Sequence, residues 1–130
     1  MPFPIEEKYM MELESELGLI FPLNFRNRMI KCNGGELITD DLEIELFPFF
    51  DKSDKKRISR TCNHIGIETK NAQGWNGFPD NGVAIGSDGF GNLLILAHKG
   101  DGNLADTIYF WTHDNGEIEK LANSIDELED

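Results

Sequence analysis

Residues 84–96 read AIGSDGFGNLLIL, with three glycines within six positions between two apolar runs. Glycine at such density can bring backbone N–H groups around a phosphate or bend a loop around a cation. A dinucleotide-binding turn, however, is spaced G-x-G-x-x-G and runs from a strand into a helix. Here the order is G-x-x-G-x-G and the continuation, Asn92 to Leu96, is an apolar strand pattern. A P-loop requires G-K-[ST], a triplet the chain lacks. Asp88 and Asn92 fall at positions one and five of a calcium-binding loop, but Phe90 and Leu93 stand where a ligand and the essential glycine belong. Asp101, Asn103 and Asp106 likewise have neither that glycine nor the closing glutamate. The reading that requires nothing further is a hairpin corner, with Asp88-Gly89 as a two-residue turn and Gly91 permitting a bulge beside it.

Nucleophilic and acid-base chemistry is equally thin. His64, His98 and His113 are not in H-x-x-x-H or H-x-x-E-H spacing, and no G-x-S-x-G occurs. Cys32 and Cys62 are not arranged as C-x-x-C and are too few for a disulfide framework, so they read as buried free thiols. Carboxylate pairs abound, but among 24 acidic residues they arise by chance. No catalytic constellation, metal site or cofactor is expected, and the chain reads as a non-enzyme.

The elements that would position any site follow from periodicity. Ile5, Tyr9, Leu13 and Leu17 recur every four residues beside Met10, the stripe of a helix with one buried face. Pro4 and Glu6-Glu7 suit its start, and Gly18 its left-handed end. A second helix is predicted to start at Pro22, with Phe25 and Met29 inward beside Ile30 or Cys32, and to stop at Asn33-Gly34-Gly35. Leu42, Ile44 and Leu46 alternate with Glu43 and Glu45 as a strand with one wet, negative face. DKSDKKRISR (51–60) reads as a surface loop with possible helical character, HIGIETK (64–70) as a short strand, and NAQGWNGFPDNG (71–82) as a long loop carrying Trp75 and Phe78. VAIGSD and NLLILAHK are strands around the glycine-rich corner. TIYFWTH and GEIEKLA form a hairpin about Asp114-Asn115-Gly116, where Asn115 and Gly116 would both take positive φ. Ser124-Ile125-Asp126-Glu127 is a capping box opening a short C-terminal helix. Two helices, several antiparallel strands and a terminal helix make one α+β domain spanning residues 1–130.

Charge bounds the partners. With 24 acidic against 12 basic residues the formal net charge is -12. Such a surface repels phosphates, so a nucleic-acid reader is not expected, whereas a basic protein would be attracted and its encounter accelerated. With 39% apolar residues the 130-residue chain can bury roughly two thirds of its unfolded surface in one core. MPFPIEEKYMMELE lacks a basic region followed by an apolar one, and no run approaches a membrane span, so a cytoplasmic, membrane-free protein is expected, as a monomer or weak dimer.

The ordered set Leu17-Gly18, Phe21-Pro22, Phe25, Asn33-Gly34-Gly35, then VAIGSDGFGNLLIL, Ile108-Tyr109-Phe110-Trp111 and a terminal S-I-D-E-L resembles the SUKH superfamily, bacterial relatives of the yeast cell-wall-assembly regulator. The likeness covers roughly residues 5–47 and 82–130. In physical terms these are scaffold positions: Asn33-Gly34-Gly35 turns the chain into its first strand, Asp88, Gly89 and Gly91 set a hairpin register, and Trp111 is a core ring with its N–H bonded. The resemblance implies an immunity protein that binds and neutralises a cognate polymorphic toxin, often a nuclease; a regulatory adaptor with several cellular partners is the alternative it leaves. It does not imply which residues touch the toxin. The residues themselves offer Glu36, Asp40, Asp41, Glu43 and Glu45 as an acidic contact surface or a merely solvated strand face. Trp75 and Phe78 are aromatic anchors or a loop folded over the core. Lys55, Lys56, Arg57 and Arg60 read as a solvated basic patch.

Overall fold

The computed structural model describes residues 3–39 and 42–128; Asp40 and Asp41, two of the candidate contact residues, lie outside the described residues. The order is α1 (Glu7–Leu17), α2 (Leu23–Lys31), β1 (Gly35–Ile38), β2 (Glu43–Leu46), α3 (Lys55–Arg60), α4 (Ile65–Ala72), β3 (Gly82–Ser87), β4 (Leu93–Ala97), β5 (Ile108–Trp111), β6 (Ile118–Ala122) and a 3₁₀ turn, Ile125–Leu128. The strands form one six-stranded sheet in sequence order, every neighbour antiparallel. This is an α+β fold.

The N-terminal pair forms as its periodicity predicts. Tyr9, Met10 and Leu13 are buried on α1, and Gly18 ends it at φ 68° with its N–H on the Glu14 carbonyl. Pro22 caps α2, whose Phe25 and Met29 point into the core. Phe21, Phe25 and Phe49 pack ring against ring at centroid distances of 5.1 to 6.2 Å. Glu14 is buried because it works as a clamp. Its Oε2 accepts from the Phe21 N–H at 2.8 Å and lies 3.3 Å from Nε of Arg26, and its Oε1 accepts from Nη2 of Arg26 at 3.4 Å. That Nε is buried without a well-aligned acceptor, so the pair is held by charge more than by a linear bond.

Asn33 shows why an asparagine precedes the two glycines. Its side chain accepts from the Phe49 N–H at 2.8 Å and donates to the Phe49 carbonyl at 2.9 Å, satisfying a buried backbone unit that no strand reaches. Gly34, at φ 96°, passes so close to β2 that a Cβ would sit 3.2 Å from the Leu46 carbonyl oxygen. The chain thereby enters β1, a strand distinct from the one read at 42–46.

Sequence 64–70 is a helix, not the expected strand. The β-branched Ile65, Ile67 and Thr69 suggested a strand, but Nδ1 of His64 caps the first turn by accepting from the Ile67 N–H at 3.2 Å, and Ile65, Thr69 and Ala72 share the buried face. Tertiary packing overrides propensity here. β2 pairs with β3 at Glu45↔Ser87 and Leu46↔Gly86, and the Phe47 N–H donates to the Ile85 carbonyl at 2.9 Å; beyond that, Thr69 Oγ1 of α4 accepts the Ala84 N–H at 2.9 Å. Burial lowers the His64 pKa from the ordinary value, with Lys52 adding to the effect and Glu16 opposing it. Residues 55–60 are likewise a helix, capped by Asp54, with no buried residue.

Both hairpin corners differ from expectation. Asp88-Gly89 is not a two-residue turn: the Asp88 N–H bonds the Asn92 carbonyl, while Oδ1 of Asp88 accepts from the Phe90 and Asn92 N–H groups, making a wider loop. Gly89 and Gly91 supply its positive φ angles, and the register shift falls at Ala84/Gly86 within β3. At the second corner only Gly116 has positive φ; Asn115 instead accepts the Glu117 N–H, and Thr112 closes the loop through Gly116 and Glu117. The expected terminal capping box is a 3₁₀ turn in which Glu127 reaches back to the Asn123 N–H rather than to Ser124. The cysteines are free, but neither is buried: Cys32 is half-buried and Cys62 exposed.

Trp111 anchors the far half. It is 1% exposed, and its Nε1 donates to the Gly77 carbonyl at 3.0 Å. Gly77 and Gly116 are packed backbone to backbone, where a Cβ on Gly77 would lie 3.2 Å from the Gly116 Cα. The loop at 75–78 is thus fastened across the β5–β6 hairpin.

Candidate interaction groove

The pairing of β1 with β2 decides which side chains share a surface. Glu36 lies opposite Glu45, and Ile38 opposite Glu43, while Leu37 and Ile44 pair on the buried face. In a strand successive side chains alternate, so Glu36, Ile38, Glu43 and Glu45 stand together on the exposed face. Ser87 of β3, opposite Glu45, extends it towards the β3–β4 loop. Together these elements line a groove of about 700 Å³, walled by the three glutamates on one side and by Asp88 and Phe90 on the other.

Two features distinguish this groove from an ordinary wet surface. Among the described residues no Lys or Arg pairs with Glu36, Glu43 or Glu45, although α3 carries four basic side chains nearby in sequence. Like charges placed directly across a ladder are mildly destabilising. The acidic face also brackets apolar surface, since Ile38 is 58% and Phe90 80% exposed. Phe90 stands at the tip of its loop because Asp88 ties the backbone on both sides of it. An arrangement of uncompensated carboxylates around bare apolar side chains suits a basic protein surface with an apolar centre.

A second groove of about 570 Å³ shares Glu36, Glu45 and Asn63 and ends on Arg57 and Arg60. Both guanidinium groups stack over the Phe3 ring, at 4.6 and 4.9 Å, and Arg57 lies 3.8 Å from Asp51. The basic cluster is therefore partly engaged with its own chain. Lys55 and Lys56 on α3 are exposed.

The two aromatic candidates part company. Trp75 is 43% exposed and stacks on Trp111 at 5.9 Å, whereas Phe78 is 8% exposed and meets Trp111 edge-on at 5.4 Å. Phe78 is a core residue, placed as the fold-over-the-core alternative has it. Neither lines the acidic groove. Ile38 and Phe90, which do, escaped the sequence reading. A phenylalanine between two turn glycines was the one available signal, because a buried ring there would need a longer loop to fold back.

Among the described residues no cluster of His, Cys, Asp and Glu could hold a metal ion, and no helix is long and apolar enough to cross a membrane. No curated protein and no solved structure matches the chain. A family model does, over residues 4–130, which takes in the α1–α2 pair, the whole sheet and the groove just described. With nearly its full length matched, the chain belongs to the SMI1 / KNR4 family (SUKH-1).

Proposed function

We propose that the protein is an immunity protein that binds a cognate toxin domain and neutralises it, with the groove between the β1–β2 face and the β3–β4 loop as the contact surface. The observation that carries this reading is the convergence on one open groove of three glutamates that pair with no Lys or Arg among the described residues, together with the exposed Ile38 and Phe90. Membership of a family linked by resemblance to toxin immunity supplies the partner class. A toxin acting on nucleic acid must grip phosphates and so carries a basic cleft, which an acidic surface can occupy in place of the substrate. The net charge of -12 favours rapid encounter with such a domain, and the partnership would operate in the cytoplasm, with the protein as a monomer or weak dimer.

Affinity capture from the native host with the tagged protein, washed at low and then at high salt, tests the reading. The expected result is one large protein with a basic C-terminal domain whose expression kills cells unless this chain is present. Recovery of a varied set of housekeeping proteins, with no protection against any of them, would replace the immunity reading with that of a regulatory adaptor.

A further inference from the structure

The groove gives the partner a surface, and the sheet beside it gives the partner a ladder. β1 is a terminal strand, paired on one side only. Its parity is fixed by the Thr39 N–H bonding the Leu42 carbonyl at 2.8 Å. Counting back along an antiparallel ladder, Thr39, Leu37 and Gly35 direct their backbone groups to β2, and Ile38 and Glu36 direct theirs outward. Among the described residues no hydrogen bond engages those outward groups. Immediately upstream the situation differs: Arg28 occupies the carbonyls of Cys32 and Gly34. The open edge therefore begins at Glu36.

Proteins blunt such edges with short strands, charged side chains, proline or a bulge. β1 is short and carries the acidic Glu36, which would itself attract a cationic strand, but it has no proline, lysine or bulge within Gly35–Ile38, and its pairing with β2 is regular. The opposite edge is treated otherwise, because β6 carries Lys120 and an irregularity facing Ile108/Tyr109. The contrast marks β1 as the edge left available.

We propose that the partner adds an extended strand to β1, with Lys or Arg at every second position. This rests on the interaction-groove reading above and specifies how the groove is used. An added strand would place alternate side chains on the same face as Glu36, within cross-strand reach of its carboxylate, with Glu43 and Glu45 one strand further across that face, about 9.5 Å away and within reach of a long cationic side chain. Cationic side chains at those positions complement all three. A second copy of this chain is the poorer occupant, since pairing β1 with itself adds glutamates to a face already lacking cations.

The probe is a capped eight-residue peptide with lysine at alternate positions and valine or threonine between, followed by amide hydrogen exchange in the full chain. Protection should rise at the Glu36 and Ile38 amides, while the Leu37 amide, already bonded to β2, changes little. Ile38→Pro deletes one outward donor without touching the β2 ladder and should weaken peptide binding roughly tenfold or more. The E36K/E45K double variant should weaken it as well. Unchanged binding by Ile38→Pro, with loss in E36K/E45K, would overturn strand addition and leave the acidic groove standing. Unchanged binding in both would remove the groove as the contact surface too. If Ile38→Pro fails to fold, exchange at Glu36 and Ile38 in the unsubstituted protein decides alone, and absence of protection at saturating peptide overturns the proposal. Sedimentation without peptide covers the remaining occupant: a dimer protecting the same two amides would assign the edge to a second copy instead.

Discussion

The β1–β2 and β3–β4 hairpins are built from the same antiparallel pairing and differ in their second face. In β3 and β4 nearly every residue is buried whichever way it points, so the pair forms the middle of the core. In β1 and β2 only alternate residues are buried, and the others are Glu36, Ile38, Glu43 and Glu45 in the open. Burial stabilises the β3–β4 hairpin on both faces at about 25 cal/mol per Å² of apolar surface. The β1–β2 hairpin gains that on one face only and bears repulsion between Glu36 and Glu45 on the other. On the proposed reading, this face opposes the stability of its own sheet because it serves contact.

That contrast can be broken at its strongest point first. Trp111→Ala removes a ring that is 1% exposed and holds the 75–78 loop, so stability should fall by about 3–5 kcal/mol in denaturant unfolding. A loss under ~1 kcal/mol would mean that the central strands are not where stability resides. Asn33→Ala strands the N–H and carbonyl of Phe49 away from water and should cost about 2–3 kcal/mol by the same measurement. Asn33→Asp keeps only the acceptor and should fall in between.

The His64 cap is the next smaller effect. His64→Ala should cost about 1 kcal/mol through loss of the α4 cap. In the unsubstituted protein the sign of the pH dependence follows from the lowered pKa. The unfolded chain takes up a proton near the ordinary value of 6.5 before the folded chain does, so stability present above that pH declines as pH falls from there through the folded value. Glu68 acts in the other sense: burial raises its pKa from 4.5, so its contribution is full below that value and lost as pH rises through the folded one. Thermal unfolding between pH 7.5 and 5 should show the decline in the parent and a flatter profile in His64→Ser, which caps without titrating.

The smallest effect sharpens the comparison most. Glu45→Lys converts a like-charged cross-strand pair into an opposite one and should raise stability by roughly 0.2–1 kcal/mol. The same substitution should weaken capture of the basic partner. Stability gained where binding is lost would separate a contact face from a merely solvated one; destabilisation would remove the argument that this face is held against the sheet's interest.

The sequence makes the scaffold readable where one residue type has one physical use. Gly18, Pro22 and the Asn33-Gly34-Gly35 stop could be placed because left-handed backbone and missing donors leave few alternatives, and Trp111 because a large ring with one donor needs both burial and an acceptor. Residues 64–70 were misleading because Ile65, Ile67 and Thr69 favour strands intrinsically, and the competing signal, a histidine accepting through Nδ1, resembles no standard cap. Asn115-Gly116 was misleading in a finer way: the turn formed, but with the asparagine side chain rather than its φ angle absorbing the bend. The groove was half legible. Alternation exposed Glu43 and Glu45, but no local pattern announces that Phe90 is thrust outward or that Phe78 is drawn inward, since both depend on which loop lies over which strand.

The meeting of Gly77 and Gly116 has a practical side. Hairpin tips ordinarily accept inserted tags or fused domains, because little rests against them. The 113–116 tip is different: it has the main chain of another loop against it, and that loop holds the indole of Trp111. A reporter spliced there would lever the two glycines apart and uncover the largest side chain of the core, so a label intended to leave the protein working belongs on the exposed face of α3, where no side chain is buried.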